Sequence, residues 1–346
     1  MSPFVAGYLA QDGLANGAIY ALLAIALIVI FSVTRIIFVA LGEIVSYAAM
    51  TYVAMLEGSR LGVIAFVGVL AVAGALRHLA SDAGTLGASR ALAGAVRGLV
   101  FPLAACIFAF SVAELKAPTL VMLVATVLLV TAIGPVLYRL VYAPIASASI
   151  LVLLIVSIAV HLALLGMGLY LFGPQGGQTP VLIDGTILLG RIPVKNQSIL
   201  IIVVMLIFMA GLFFAAEKTL FGKAMRAAAF NSIGARLMGV SASLAGETAF
   251  TIAAFIAALC GVLISSITTM YYDTGFLLAL KGFVAAICGG LANFPAAVVA
   301  AALLGLLESF SSFFASAFKD TIVFSLTIPA LLWLSLARRS AHEDEA

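Results

Sequence analysis

Residues 14–34 read LANGAIYALLAIALIVIFSVT, a run without a charged side chain in which only Asn16, Tyr20, Ser32 and Thr34 carry polar side-chain atoms. A helix needs about 20 apolar residues to cross the hydrocarbon core of a bilayer, and this run is long enough. Comparable runs lie at 36–56, 62–80, 96–113, 118–138, 148–172, 198–216, 243–268, 277–292, 296–315 and 321–337. The second is interrupted by Glu43 and the ninth by Lys281, so the reading is ten or eleven passes. A transmembrane barrel would alternate in polarity over strands of about ten residues, and these runs are continuous. The expected fold is an all-α polytopic transmembrane helical bundle, a single membrane domain over 1–346.

Composition agrees. Hydrophobic residues make up 65% of the chain and charged residues 9%, against about 45–50% and 25% in soluble domains. The mean hydropathy of +1.28 excludes a soluble enzyme, a secreted disulfide scaffold and a disordered chain. Cys106, Cys260 and Cys288 sit inside apolar runs with no ligand-like spacing, which predicts small buried hydrophobes rather than a metal site or disulfides. A net charge of +3, scattered along the chain, excludes nucleic acid as a partner. The partner it implies is the lipid bilayer.

Cytoplasmic loops carry an excess of Lys and Arg. With eleven spans and the N-terminus outside, Arg35, Arg77, Arg90, Arg97, Arg139, Lys218, Lys223, Arg226, Arg236, Arg338 and Arg339 fall in the cytoplasm. Arg60, Lys116, Arg191, Lys195 and Lys319 fall outside, and Lys281 is intramembrane. Eleven against five favours this orientation. Residues 1–34 hold no Lys or Arg, so the first span lacks the basic leader of a cleaved signal peptide and is expected to be retained.

Three connections are long. Residues 81–95, SDAGTLGASRALAGA, predict a polar cytoplasmic hairpin connection, and 173–197, with Gly173, Pro174, Gly176, Gly177, Pro180 and Pro193, an irregular outside loop. Loop 217–242 reads EKTLFGKAMRAAAFNSIGARLMGVSA. In it Ala224, Ala228, Ala235 and Met238 recur at helical spacing, Gly239 follows as a stop, and Lys223, Arg226 and Arg236 lie on the polar side. Two readings suit it: a basic helix lying on the inner leaflet, or a helix docked in a protein groove that its small residues let it approach closely. No Gly-Lys-Ser/Thr phosphate loop is present, and His78, His161 and His342 are far apart. No catalytic constellation appears, and any ATP hydrolysis needs another subunit.

Residues 222–240, GKAMRAAAFNSIGARLMGV, resemble the coupling segment of bacterial ABC importer permeases of the branched-chain amino acid type. Leu277–Glu308, LLALKGFVAAICGGLANFPAAVVAAALLGLLE, and Asn16-Gly17-Ala18-Ile19-Tyr20-Ala21-Leu22 resemble two further stretches of that family. The likeness covers 14–56 and about 118–337. Where the family has Asn-Phe-Ala-His-Gly-Glu, this chain has Phe38-Val39-Ala40-Leu41-Gly42-Glu43. Residues near 73–116 look like extra sequence, enough for an added or lengthened helix pair. These departures bear on the substrate more than on the transporter class.

Charged groups inside a membrane cost several kcal/mol and are functional candidates by default. Glu43 lies eight residues past Arg35, about 12 Å into the membrane at 1.5 Å per residue; it is a candidate for the substrate path or a carboxylate bonded to a neighbouring helix. Lys281 is read either as a path residue or as a side chain snorkelling to the outer interface. Glu308 is too deep to snorkel and serves in structural pairing or the path. For His161, hydrogen-bonded packing is favoured over substrate contact. Gly289 and Gly290, and Ala301 with Gly305, suit close helix packing or a broken helix.

The resemblance implies the membrane-spanning permease subunit of an ATP-driven importer of branched-chain or other amino acids, or related small carboxylates or amides, in the bacterial inner membrane. It implies a second permease, two cytoplasmic ATPase subunits holding ATP and Mg²⁺, and a periplasmic substrate-binding protein, with no cofactor on this chain. ATPase coupling is expected at Gly222, Lys223, Arg226, Ala228, Asn231, Ala235, Arg236, Met238 and Gly239, and the substrate path at Asn16, Tyr20, Gly42, Glu43, Lys281, Gly289, Gly290 and Glu308. The alternative is an ion-coupled secondary transporter using Glu43 and Glu308.

Overall fold

A computed structural model describes residues 3–59, 62–82, 88–189, 192–220, 222–224, 234, 241–291, 293–325 and 329. Their helices are α1 (Pro3–Thr34), α2 (Leu41–Glu57), α3 (Gly62–Asp82), α4 (Ala88–Glu114), α5 (Thr119–Thr131), α6 (Ile133–Leu137), α7 (Ile150–Phe172), α8 (Asn196–Lys218), α9 (Ala242–Ile264), α10 (Thr274–Cys288) and α11 (Phe294–Ala315). A π-helical turn, Tyr138–Tyr142, and a 3-10 turn, Ala143–Ile145, extend α6. Eight helical stretches among the described residues are long and apolar enough to cross a membrane. They correspond to the first, third to eighth and tenth runs.

The two interrupted runs form the shorter helices. α2 has 17 residues and α10 has 15, so α10 rises only about 22 Å against a core of about 30 Å. Most of the eleventh run lies outside the described residues. Its beginning is continuous with the tenth, because the helical stretch Phe294–Ser325 runs on through a 3-10 turn at Ser316–Phe318.

Local chemistry starts several of these helices. Ser149, Ser241 and Asn293 each place a side-chain oxygen on a backbone N–H three residues on, satisfying one of the donors that a helix start leaves unpaired. α2 ends at Gly58, whose φ of +69° closes the helix in the left-handed region.

Two expected loops are more ordered than the sequence suggested. α3 and α4 reach to Asp82 and from Ala88, so helix occupies most of 81–95; alanines sustain it where hydropathy falls. Within 173–197, β1 (Thr186–Leu189) and β2 (Ile192–Lys195) form an antiparallel hairpin with Leu189 opposite Ile192. Thr186, Ile187, Ile192 and Val194 supply the β-branched residues that favour strand, and Pro193 is tolerated because a two-stranded ribbon has only edges.

The chain divides into two compact units. The first comprises Met1–Ile28, Val181–Ala215 and Leu278–Ala346. In it α1 and α11 touch backbone to backbone: a Cβ on Gly17 would fall 2.9 Å from the Ala301 carbonyl oxygen, and one on Gly13 would fall 2.8 Å from Leu306 Cα. Such small-residue contacts hold helices together in lipid, where burial of apolar surface drives little. Ser309 Oγ adds a 2.8 Å bond to the Leu9 carbonyl.

The second unit comprises Val29–Pro180 and Ala216–Leu277. Its core is formed by α2, α5 and α9, with Phe38, Tyr47, Tyr52, Tyr142 and Phe250 among the largest fully buried side chains. α3 and α4 pack as a hairpin. Leu76, Ile107, Phe110, Leu151 and Leu162 stay exposed, a display that suits acyl chains and not water. The protein is a multi-pass membrane protein.

Candidate functional site

Two buried polar clusters stand out, one in each unit. In the first, Lys281 from α10 sends its Nζ to Glu308 Oε1 at 2.5 Å and to Asp320 Oδ1 at 3.0 Å. Tyr20 Oη donates to Glu308 Oε2 at 2.5 Å, and Lys281 Nζ lies 5.6 Å from the Tyr20 ring centroid. Lys281 is 4% exposed and Glu308 8%, while the Asp320 side chain is 41% exposed. Both Glu308 oxygens are therefore satisfied, as a carboxylate far from water requires. The snorkelling alternative for Lys281 fails: two carboxylates and an aromatic face hold the ammonium inside.

In the second unit Glu43 sits in the first turn of α2, where the helix dipole favours negative charge. Its Oε1 lies 2.7 Å from His161 Nδ1 of α7, and its Oε2 is buried without a partner. Glu43 is 1% exposed. Phe276, in the first turn of α10, stacks on the imidazole at 4.5 Å between centroids. Gly275 N–H donates to Ser46 Oγ at 2.8 Å. A Cβ on Gly42 would stand 2.5 Å from the Gly275 carbonyl, so glycine at both positions lets the first turns of α2 and α10 meet. Tyr47 Oη donates to the Leu164 carbonyl at 2.9 Å and anchors α7 beside them.

The expected path residues thus fall into groups. Tyr20, Lys281 and Glu308 are joined directly, Gly42 and Glu43 belong to the His161 cluster, and Asn16 is half-buried on α1. Gly289 and Gly290 end α10 rather than break a longer helix: Gly290 has φ +71°, and Leu291 N–H bonds back to the Ala286 carbonyl at 2.9 Å. Of the coupling residues, Gly222 is buried and Lys223 exposed. Arg226, Ala228, Asn231, Ala235, Arg236, Met238 and Gly239 lie outside the described residues.

Sequence reasoning missed Asp320 and Ser46, while His161 is hydrogen-bonded and packed as expected, with Glu43 as its partner. Asp320 stands one residue before the eleventh run, a position that reads as a loop charge. A second feature it missed is the bidentate pair of Arg139 with Glu247. Among the described residues, no group of three or more His, Cys, Asp or Glu could hold a metal ion.

The family described as branched-chain amino acid transport system / permease component matches residues 92–334. The chain belongs to this family. It is similar to the high-affinity branched-chain amino acid transport system permease protein BraD of Pseudomonas aeruginosa, 29% identical over 220 residues, 60% of this chain and 70% of that protein. It is similar to the permease protein LivH of Escherichia coli, 28% identical over 216 residues, again 60% and 70%. A probable LivH of Methanocaldococcus jannaschii is 28% identical over 177 residues, 50% of this chain and 56% of that protein. No solved structure matches. The matched range of this permease component contains 222–240, Lys281, Gly289, Gly290 and Glu308. It also takes in α4 from residue 92 onward, the second helix of the segment that looks like extra sequence.

Proposed function

We propose that this permease component works in the bacterial inner membrane as the translocating subunit of an ATP-driven importer of branched-chain or similar small amino acids. The observation that carries the reading is the family match over 92–334. In this reading a second permease completes the pore, two cytoplasmic ATPase subunits bind ATP and Mg²⁺, and a periplasmic protein delivers substrate. Residues 222–240 dock on an ATPase subunit on the cytoplasmic side. ATP binding closes the ATPase pair, shifts that segment and exchanges outside for inside access as a rigid-body movement.

Tyr20, Lys281 and Glu308 in one unit, and Glu43 in the other, are the polar groups proposed for the path, and Asn16, Gly42, Gly289 and Gly290 are proposed as further path residues. An amino acid carries both an ammonium and a carboxylate, so a path furnished with both signs of charge suits it. The docking claim is tested by the double variant Ala228→Trp/Ala235→Trp. Overpacking costs about 1–3 kcal/mol in a packed site, so recovery of the ATPase subunits with the tagged permease should fall while membrane insertion persists. Wild-type recovery would leave 222–240 as a surface connector. Binding of candidate amino acids to the cognate periplasmic protein tests the substrate.

A further inference from the structure

Tyr138 and Arg139 are neighbours on the π-helical turn after α6, and both engage the start of α9. Arg139 Nε lies 2.8 Å from Glu247 Oε2 and its Nη2 2.5 Å from Glu247 Oε1, a two-pronged ion pair. The Tyr138 ring occupies the space above Gly246, where any Cβ would collide with its hydroxyl and ring. The same ring lies 5.1 Å from Phe250, which also meets Phe38 at 4.9 Å and Tyr142 at 5.2 Å. On its other side the Arg139 guanidinium rests against Gly98 of α4, again where a Cβ would collide. Pro102 stands four residues beyond Gly98 inside α4, and it has no N–H to give the Gly98 carbonyl. One arginine therefore ties the π turn to α9 and abuts α4 at its proline-weakened turn.

The position of Glu247 gives this joint its meaning. Ser241 caps α9 and directly follows residues 222–240, so Glu247 lies under two turns from the end of that segment. We propose that Arg139–Glu247 is a positioning pair that transmits displacement of the 222–240 segment into the membrane helices of the second unit. The inference rests on the importer reading above. The pair is only 22% and 19% exposed, so removing one partner also carries a stability cost, and the melting temperature has to be read beside transport. What a bidentate guanidinium–carboxylate pair fixes is orientation, and orientation is what transmission needs. A π turn adds to the case, since such interruptions of the helical ladder recur at functional positions.

The test uses the complete complex, with its ATPase subunits and periplasmic protein, reconstituted into liposomes. Uptake and ATP hydrolysis are measured together for Glu247→Gln, Arg139→Ala and the exchanged pair Arg139→Glu/Glu247→Arg. Melting temperature and recovered ATPase subunit are measured alongside. The expected result is that both single variants retain the ATPase subunits and lose at least about fivefold in uptake per ATP, within the usual range of coupling between sites. The exchanged pair should recover most of that ratio. Unchanged uptake per ATP in Glu247→Gln, which preserves side-chain volume, would overturn the proposal. So would a fall explained wholly by a lower melting temperature. Should the wild-type chain recruit no ATPase at all, the importer reading fails first, and that result is distinct from an unchanged ratio in a working complex.

Discussion

Lys281 Nζ and Glu308 Oε1 are 2.5 Å apart although the residues stand on different helices and are both almost wholly buried. The pair gives α10 and α11 a fixed register, and Tyr20 brings α1 to the same carboxylate.

Breaking that pair from one side leaves a buried charge without its counter-ion. Lys281→Met should cost about 3–5 kcal/mol, whereas the neutral pair Lys281→Met/Glu308→Gln should regain most of it. Melting in detergent micelles reads this directly. Equal melting temperatures for the single and double variants would mean the ammonium does not balance Glu308.

His161 and Glu43 predict an order of stability. His161→Ala strands the buried Glu43 carboxylate and removes the ring stacked on Phe276, at a cost of about 1–3 kcal/mol for the unmet group alone. Glu43→Gln removes the charge and keeps a hydrogen-bonding amide beside the imidazole. Its melting point should stay near wild type while its uptake changes. A Glu43→Gln variant as unstable as His161→Ala, with normal uptake per folded molecule, would assign the pair to packing alone.

Gly42→Ala should disturb the meeting of α2 and α10, where a Cβ has no room beside the Gly275 carbonyl. The expected loss is about 1–3 kcal/mol. Gly166→Ala on α7 meets nothing within 4 Å and should be near neutral. Folded yield after detergent extraction separates the two.

The spans were legible because membrane helices need unbroken apolar length, and the runs broken by Glu43 and Lys281 are the ones that became the short helices α2 and α10. The pairings were not legible. Glu43 finds His161 118 residues away and Tyr20 finds Glu308 288 residues away, and apolar periodicity carries no record of such meetings. Where the resembling family has His before Gly-Glu, this chain has Leu41, and an imidazole reaches Glu43 from another helix. In the sequence Arg139 marks only orientation, and Glu247 stands near the start of an apolar run. The hairpin at 186–195 was obscured by the prolines and glycines around it.

Orientation gives a further expectation. In the second unit Glu57, Ser59, Phe172 and Gln175 line one cavity of about 230 Å³, and Glu114 and Lys116 line a neighbouring one with Glu57. All belong to the outside face of the Lys/Arg assignment. Cysteines at Glu57 and Gln175 should react with an impermeant maleimide in intact cells, and cysteines at Ser232 and Ser340 should not. The reverse pattern would invert the topology.

The central claim, that this chain moves substrate only as part of an ATP-driven complex, is tested most directly by uptake of labelled leucine into proteoliposomes. Vesicles holding the chain, its second permease and the ATPase subunits, supplied with the periplasmic protein, should accumulate leucine when ATP is present on the ATPase side. Ionophores that collapse ion gradients should leave that uptake unchanged. Accumulation by this chain alone, driven by a proton or sodium gradient and indifferent to ATP, would contradict the account.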